Sequence, residues 1–363
     1  MSSKEQKKIK LQDISNCSGV SIATISRFLN GKKIRRAAEI KILDAMERLG
    51  ATNLSSDSKD HISIVKNSPS LIGVIVPDIK HNYCSKIVAG VIKRASVYNQ
   101  QVVIASSESS ILRERDSLVA FSRLDLAGLI YVPVGSWDAV VPDEISLFDN
   151  IPVVVVGRRN VLKNRCHVYS DNIKGGYIAT KYLLNLNRRR IVFCVGTWDN
   201  SIQHLDPYKL VTENPEKAGI YGSLDRFIGY LKALKEAGMP YDPQLIASVT
   251  WDFSGGCNAV ARILGQTNDF DSFITTSDTM ASGVLDTLRK HGYMVPEQIS
   301  IIGWDNSELT MFTEPHLTSM FQDSEGMGTI AVDQVNLKKG PREDVVLDIS
   351  LYPRGTTTSR LPD

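Results

Sequence analysis

Polar residues that can bind a small molecule stand directly after several short apolar runs of the sequence. The residues in these positions are Asp78, Ser106, Arg158, Ser277, Asp278, Trp304 and Asp305. In an open parallel sheet, ligands bind beyond the carboxyl ends of the strands. If the apolar runs are such strands, the sequence predicts a binding site built from carboxylate, hydroxyl, guanidinium and indole groups.

The residues that usually perform catalysis do not form a recognisable motif. The chain has no G-x-S-x-G, H-E-x-x-H, P-loop or Gly-rich dinucleotide-binding sequence, and its 6 histidines lie outside such motifs. The 5 cysteines are far apart and never spaced as C-x-x-C, which argues against a disulfide framework and a structural zinc site. We therefore expect a protein that is not an enzyme, that holds no metal and no cofactor, and whose cysteines are mostly buried.

Short Val/Ile-rich runs, separated by amphipathic stretches, place these polar residues. The runs are 71–76, 102–105, 129–132, 153–156, 191–195, 273–275 and 299–302. Continuous β-branched runs between helical stretches predict parallel strands that are buried on both faces and joined by right-handed βαβ crossovers. The body of the chain is therefore expected to be an α/β structure.

The first 50 residues differ from this body in charge. They hold 11 Lys and Arg against 5 Asp and Glu, a net charge of +6, whereas the other 313 residues must carry −4 to reach the total of +2. A basic head on a mildly acidic body predicts that the head binds a polyanion. On charge alone, a solvated basic tail is the alternative.

The head also carries a helical pattern, which a tail does not need. Apolar residues recur at helical spacing from Leu11 to Leu29, Gly19 interrupts them where a tight turn falls, and Ser21 is placed to cap a second helix. A third apolar pattern runs from Ala38 to Leu49. Three short helices, packed together, are expected here.

Length and composition limit the remaining options. With 363 residues, 42% of them hydrophobic and 23% charged, the chain is expected to form two or three cores of an ordinary globular protein. No apolar run reaches 18 residues, and the lysine-rich start is not followed by an apolar signal core. We expect a cytoplasmic protein without membrane association.

Residues 11–31, and above all Gly19-Val20-Ser21-Ile22-Ala23-Thr24-Ile25-Ser26-Arg27, resemble the DNA-binding head of the LacI/GalR family of bacterial transcription regulators. The resemblance implies a helix-turn-helix whose second helix enters the major groove of operator DNA. It makes Ile22, Ala23 and Arg27 the candidate base-reading residues. The candidates for phosphate and minor-groove contacts are Thr24, Ser26, Asn30, Lys10 and Leu54.

Two features of the head depart from the family pattern. Arg35 and Arg36 stand where relatives usually have a polar or acidic helix cap. After Gly50, where the family has a Leu/Ala-rich hinge helix that inserts into the minor groove, this chain has a polar, partly acidic stretch. We therefore divide the chain into a head, 1–50, a linker, 51–69, and a body, 70–358, and expect the linker to order only weakly on DNA.

The resemblance continues through the body in segments that occur in the family's order, among them 72–79, 170–172, 226–230, 277–283 and 301–305. It implies a two-lobed fold like that of periplasmic binding proteins, with parallel sheets and three crossings of the chain between lobes. We expect lobe one to hold about 70–163 and 316–340, and lobe two about 164–315 and 341–358.

The same resemblance assigns residues to a ligand cleft between the lobes. The candidates are Asp78, Tyr83, Ser106, Arg226, Phe253, Ser277, Asp278, Trp304 and Asp305, with Trp251 as the alternative to Phe253. Aromatic platforms and residues with several donors or acceptors suit a sugar. Three alternatives remain open: Arg226 pairs with Asp225 on the surface, Tyr83 is a lobe-interface aromatic, or Asp278 caps a helix.

These observations together predict a sequence-specific DNA-binding regulator whose affinity for double-stranded operator DNA is controlled by a small sugar-like effector. Because most members of the family repress transcription, we expect a repressor. Because one helix-turn-helix contacts only half of an operator, we expect a homodimer. The alternatives are a cytoplasmic sugar-binding sensor with a degenerate head that does not bind DNA, and an enzyme on a similar fold.

Overall fold

The chain folds as two compact units, residues 1–69 and 70–363, which are described separately. The structure is a computed structural model and describes residues 11–29, 34–49, 70–134, 143–159, 161–198, 206–337 and 340–359. Within these residues, no helix is long and apolar enough to cross a membrane.

The head consists of three helices, α1 (Leu11–Ser18), α2 (Ile22–Leu29) and α3 (Arg36–Arg48). Gly19 adopts a φ of +66° in the turn between α1 and α2, a conformation that glycine accepts without a steric cost. The predicted cap is present, since the Ser21 hydroxyl accepts a hydrogen bond from the backbone N–H of Thr24 at 3.3 Å.

One small core joins the three helices. Ile14 of α1, Ile25 of α2, and Ile42 and Ala45 of α3 are all buried. Cys17, which falls within the predicted apolar pattern, is exposed instead. The core supplies the tertiary packing without which helices as short as eight residues are unstable in water.

The body contains twelve strands and nine helices within its described residues. The strands are β1 (Leu71–Val76), β2 (Gln101–Ser106), β3 (Leu126–Tyr131), β4 (Val153–Val156), β5 (Cys166–Ser170), β6 (Ile191–Thr197), β7 (Ile246–Thr250), β8 (Ser272–Ile274), β9 (Ser300–Trp304), β10 (Thr318–Gln322), β11 (Val345–Leu347) and β12 (Ile349–Tyr352). The helices are α4 (Asn82–Val97), α5 (Ile111–Phe121), α6 (Asn172–Asn185), α7 (Pro207–Glu213), α8 (Pro215–Ala218), α9 (Gly222–Glu236), α10 (Phe253–Leu264), α11 (Asp278–Lys290) and α12 (Ser324–Val335).

The strands form two six-stranded sheets, one for each lobe. Their orders are β11-β5-β4-β3-β1-β2 in lobe one and β12-β10-β9-β8-β6-β7 in lobe two. All neighbouring strands are parallel except β12, which runs antiparallel to β10. Parallel sheets were predicted from the β-branched runs, whereas this antiparallel edge strand was not.

Apolar residues cover both faces of each sheet. In lobe one, α4 and α12 pack on one face and α5 on the other; in lobe two, α6 and α9 pack on one face and α10 and α11 on the other. The central strands β1, β3 and β4 are almost entirely buried, whereas the edge strand β2 is only half-buried.

Strand pairing corrects the predicted lobe boundaries. Strand β5 belongs to lobe one rather than lobe two, β10 to lobe two rather than lobe one, and β11 to lobe one. Strands β5 and β10 contain polar residues, so their apolar patterns are weak, and β11 is only three residues long. The hydrogen-bonded neighbours therefore decide where these strands lie. The chain therefore crosses between lobes at Asp171, Asp323 and Asp348.

At two of these crossings, the crossing residue caps the helix that follows it. Asp171 accepts a hydrogen bond from the backbone N–H of Lys174 at the start of α6, and Asp323 accepts one from Gly326 at the start of α12. At the third crossing, the Asp348 carboxylate lies 2.7 Å from Lys174 Nζ. Caps and an ion pair thus stabilise the points about which the lobes can move.

Candidate functional site

One face of the second helix of the head is exposed to solvent and carries both polar and apolar side chains. Ile22 is 40% exposed and Ala23 and Arg27 are also exposed, whereas Ile25 on the opposite face is buried in the core. A helix in the major groove contacts base edges with its first residues. The arrangement leaves the three candidate base-reading side chains accessible together.

The predicted phosphate-binding residues differ in their surroundings. Thr24 and Ser26 are half-buried, and the Thr24 hydroxyl is hydrogen-bonded at 2.9 Å to the hydroxyl of Ser21, the residue that caps α2. Lys10, Asn30 and Leu54 fall outside the described residues, as do the proposed linker, 51–69, and its predicted behaviour on DNA.

A small cavity in the body lies where the carboxyl ends of both sheets meet. It has a volume of about 20 Å³, room for roughly one water molecule. Lobe one contributes residues that follow β1, β4 and β5, and lobe two contributes residues of α6 and α9 and the ends of its strands. The lining residues are His81, Tyr83, Gly157, Arg158, Ser170, Asn172, Trp198, Gly222, Arg226, Trp251, Thr276, Asp305 and Gln322.

Arg226, on the first turns of α9, is held in this wall by contacts to three elements. Its Nε donates to Asn172 Oδ1 at 2.8 Å, and its Nη1 donates to the carbonyl of Thr276 at 2.7 Å. Its guanidinium lies 4.1 Å from the centre of the Trp304 ring. Arg226 therefore faces the cavity and does not pair with Asp225, whose carboxylate binds Arg159 instead.

Four aromatic rings enclose the cavity. His81 and Tyr83 come from the start of α4 in lobe one, and Trp198 and Trp251 follow β6 and β7 in lobe two. The His81 and Trp198 rings meet edge to face with centres 5.0 Å apart, and the two tryptophan rings are 5.7 Å apart. Aromatic surfaces from both lobes thus meet across the cleft.

Polar atoms without hydrogen-bond partners cluster in the same wall. The buried atoms of this wall without a partner among the residues that the structure describes are His81 Nε2, Arg158 Nε, Arg158 Nη2, Ser170 Oγ, Trp198 Nε1, Trp251 Nε1 and Thr276 Oγ1. Leaving a buried polar group unpaired costs about 1–3 kcal/mol, and native structures have few such groups. Their concentration here indicates a surface that is complementary to a polar ligand.

Burial changes the charge states of two lining residues. It raises the pKa of Asp305, with a further contribution from the nearby Asp278 carboxylate, so the protonated acid is favoured. It lowers the pKa of His81 to about 4, so this ring is neutral at pH 7. Arg158 and Arg226 thus carry most of the charge in the cavity wall.

The structure brings three of the nine predicted cleft residues, Tyr83, Arg226 and Asp305, into the cavity wall. Ser277 and Trp304 support it from behind. Ser277 caps α11 and donates to the carbonyl of Trp251 at 2.6 Å, and Trp304 is fully buried beneath Arg226.

The other four predicted residues do not line the cavity. Asp278 is buried and accepts hydrogen bonds from Ser307 and Ser319. It does not cap α11, since Ser277 does. Asp78 and Ser106 accept hydrogen bonds from the backbone of the loop after β1. Phe253 is 43% exposed at the start of α10, and Trp251, the alternative platform, occupies the wall instead.

Several lining residues were not assigned from the sequence. Ser170 and Gln322 end β5 and β10, two strands whose apolar pattern is too weak to identify. Trp198 follows a recognisable apolar run, so applying the strand-end rule to that run would have found it. Arg158 was identified by this rule from the sequence but was not among the nine residues assigned to the cleft. Asn172 lies on the helix after β5 and would follow once that strand was known.

The chain is similar in sequence and fold to known regulators over almost its whole length. The profile of the periplasmic binding protein-like domain matches residues 180–357. The HTH-type transcriptional regulator RegA of Clostridium saccharobutylicum is 27% identical over 353 residues, 96% of this chain and 98% of that protein.

Solved structures share the fold. The Lac repressor dimer bound to operator and the anti-inducer ONPF superposes with a TM-score of 0.73 at 21% identity, covering 97% of this chain and 100% of that one. The complex of the transcriptional regulator CelR with cellobiose gives a TM-score of 0.67 at 24% identity, covering 96% and 99%.

Proposed function

The chain belongs to the LacI/GalR family of bacterial transcriptional regulators, and we propose that it is a sequence-specific repressor whose operator affinity is set by a sugar-like effector in the interlobe cavity. The observation that carries the effector site is the set of unpaired polar atoms around the cavity, combined with the aromatic rings beside them.

The head supports the DNA-binding part of the proposal. Its second helix exposes Ile22, Ala23 and Arg27 on one side, while the opposite side packs into the core. Arg27 offers the forked donors that read guanine, and Ile22 and Ala23 offer apolar contacts to a thymine methyl group. The basic excess of residues 1–50 supplies attraction to the phosphate backbone.

The cavity supports a sugar rather than an apolar effector. Sugars combine an apolar ring face, which stacks on aromatic side chains, with hydroxyl groups that donate and accept hydrogen bonds. Trp198 and Trp251 supply ring surfaces, and Arg226, Asn172 and Thr276 lie in the same wall. CelR, whose fold this chain shares, was solved in complex with cellobiose.

Effector entry requires the lobes to separate. The cavity of about 20 Å³ is far smaller than the roughly 300–1,000 Å³ of common ligand pockets. The chain crosses between the lobes only three times, at Asp171, Asp323 and Asp348, within the part of the chain that the structure describes. Movement about these crossings is the two-state element through which an effector shifts operator affinity.

A homodimer completes the proposal. Apolar side chains are exposed on lobe one around its edge strand β2, namely Ile92, Val97, Tyr98, Ile104 and Leu112. Contiguous exposed apolar residues mark protein interfaces, and a two-fold dimer presents two heads to the two halves of an operator. The Lac repressor, whose fold this chain shares, was solved as a dimer on its operator.

Selection of bound sequences from a random DNA pool tests the proposal directly. We expect a palindromic sequence to be enriched, and a titration with mono- and disaccharides to find a sugar that changes operator affinity at least about tenfold, or about 1.4 kcal/mol. Failure to enrich any sequence, combined with tight sugar binding, would instead support a sensor with a degenerate head.

A further inference from the structure

We propose that the effector carries an anionic group, a carboxylate or a phosphate, that binds Arg158 at the N-terminus of helix α9. This inference rests on the proposed function and specifies its ligand class: an acidic sugar rather than a neutral one. Three observations lead to it, namely an unpaired guanidinium, a helix N-terminus without a side-chain cap at the cavity wall, and the balance of charge in that wall.

Arg158 is the first observation. It follows β4 and is only 4% exposed. Its Nη1 donates to the carbonyl of its neighbour Gly157 at 3.2 Å, whereas its Nε and Nη2 have no hydrogen-bond partner among the described residues. A buried cation without a counter-charge is strongly unfavourable. The two free N–H groups of one guanidinium match the two oxygens of a carboxylate or phosphate.

The N-terminus of α9 is the second observation. Its cap residue, Tyr221, makes no side-chain hydrogen bond to the helix, and the next residue, Gly222, lines the cavity. Ser223 is fully buried, and its hydroxyl has no hydrogen-bond partner in the described part of the chain. Arg158 lines the same cavity, and a β carbon on Gly222 would lie 3.8 Å from Arg158 Nη1, so the guanidinium lies beside the helix end. Helix N-termini favour anions.

Charge balance is the third observation. The carboxyl groups around Arg158 have other partners: Asp225 forms two hydrogen bonds with Arg159, Asp305 accepts from Gln322, and one oxygen of Glu114 accepts from the backbone of Val134. The second oxygen of Glu114, Oε2, has no hydrogen-bond partner among the described residues. In the described part of the chain, none of these three carboxyl groups forms an ion pair with Arg158. Two arginines, Arg158 and Arg226, therefore face a single lining carboxyl group, that of Asp305, and an anionic ligand offsets this excess of positive charge.

Matched pairs of neutral and acidic sugars provide the test. D-glucose is compared with D-glucuronate and D-glucose 6-phosphate, D-galactose with D-galacturonate, and D-ribose with D-ribose 5-phosphate. Thermal shift at constant ionic strength ranks them, and calorimetry gives the affinities for the full-length protein. The uronates and the sugar phosphates distinguish a carboxylate-binding site from a phosphate-binding site.

The variants Arg158→Gln, Arg158→Lys and Ser223→Ala complete the experiment, with Arg113→Gln, a surface arginine paired with Glu108, as control. We expect at least one acidic sugar to bind about tenfold or more tightly than its neutral partner. Arg158→Gln should remove that preference, Arg158→Lys should keep part of it, Ser223→Ala should reduce it, and Arg113→Gln should leave it unchanged.

The inference is overturned if the neutral member binds as tightly in every pair, if no acidic sugar stabilises the wild type more than Arg158→Gln, or if Arg158→Gln weakens both members of a pair equally. A neutral sugar that binds and alters operator affinity would overturn the inference while supporting the proposed function. If no sugar of either charge alters operator affinity, the proposed effector control fails as well.

Discussion

Arg159 and Asp225 join the two lobes through a two-pronged ion pair. Arg159 Nε donates to Asp225 Oδ2 at 2.8 Å, and Nη2 donates to Oδ1 at 2.6 Å. Arg159 follows β4 of lobe one, whereas Asp225 lies on the first turn of α9 in lobe two. The side chains are only 20% and 5% exposed, so the pair stabilises the closed arrangement of the lobes.

Breaking this pair should destabilise the protein and favour lobe opening. Arg159→Gln leaves Asp225 buried without its partner, and we expect the free energy of unfolding to fall by about 3 kcal/mol. The control Arg165→Gln breaks an ion pair within lobe one, whose Asp149 partner is 69% exposed, and should cost less than about 1 kcal/mol. Denaturant unfolding and small-angle scattering measure the two effects. Equal losses in both variants would contradict this role.

Close packing of α6 on α9 should make Gly176 intolerant of substitution. A β carbon at Gly176 would collide with the backbone carbonyl of Arg226, so Gly176→Ala must push α9 away and displace the arginine that lines the cavity. We expect a loss of about 1–3 kcal/mol in stability and weaker effector binding.

Gly265→Ala is the matched control, because Gly265 has a φ of −72° and the nearest atom to an added β carbon is 3.4 Å away. Its stability should stay within about 0.5 kcal/mol of the wild type. Thermal melts compare the stabilities of the two variants. A Gly176→Ala protein as stable as the Gly265→Ala control would refute the packing argument.

Asp305 should make stability depend on pH. Burial and the Asp278 carboxylate raise its pKa from 3.8 to about 7 in the folded protein, so the folded state binds a proton that the unfolded state releases. The resulting stabilisation is complete below about pH 4 and is lost as the pH rises through about 7. Glu114, whose pKa burial raises to about 7, acts in the same direction.

Asp305→Asn should therefore flatten the fall in melting temperature between about pH 4 and 7 and raise stability at pH 8. Asparagine tolerates the φ of +99° at this position and can still accept the hydrogen bond from Gln322. Asp149→Asn on the surface should leave the slope as in the wild type. A slope unchanged by Asp305→Asn would show that Asp305 is ionised throughout this range.

Arg27 should distinguish operator DNA from random DNA. Arg27→Ala is expected to cost about 1–3 kcal/mol against the selected operator and much less against random sequence, because it removes a contact to a base edge. Lys10→Ala should weaken both complexes about equally, because a phosphate contact carries no sequence information. Fluorescence anisotropy at fixed salt measures all four affinities. If both variants lose affinity for the operator and for random DNA to the same extent, Arg27 contacts the phosphate backbone rather than a base.

The exposed apolar surface around β2 should hold the dimer together. Leu112 is 71% exposed, so Leu112→Glu should place a charge in the interface and shift the protein from twice the monomer mass toward the monomer at micromolar concentration. Met294→Glu, at a residue of lobe two that is 56% exposed, is the control. Sedimentation reports the masses, and a wild type that sediments as a monomer would refute the proposed dimer.

The local sequence determined much of the secondary structure. Gly19 and Ser21 predict the turn and cap of the head, and the runs 71–76 and 153–156 coincide with β1 and β4. These features depend on residues that are neighbours along the chain, so backbone preference, capping and apolar periodicity suffice to predict them.

Family resemblance extended the prediction to single cleft residues, with mixed results. Arg226 and Tyr83 lie in the cavity wall, whereas Phe253 is exposed and Asp278 is buried in its own hydrogen-bond network. Position in a motif places a residue on an element, but the direction of its side chain depends on what packs around it.

Only the tertiary structure decided which strands belong to which lobe and which groups meet in the cavity. The ends of β5 and β10 are polar, so hydrogen bonds to distant strands, rather than their own composition, assign them to a sheet. The pairing of Arg159 with Asp225 likewise depends on residues far apart in sequence, as does the absence of a partner for Arg158 Nε and Nη2 within the described ranges. Local propensity carries no information about such contacts, because chain crossings and burial create them.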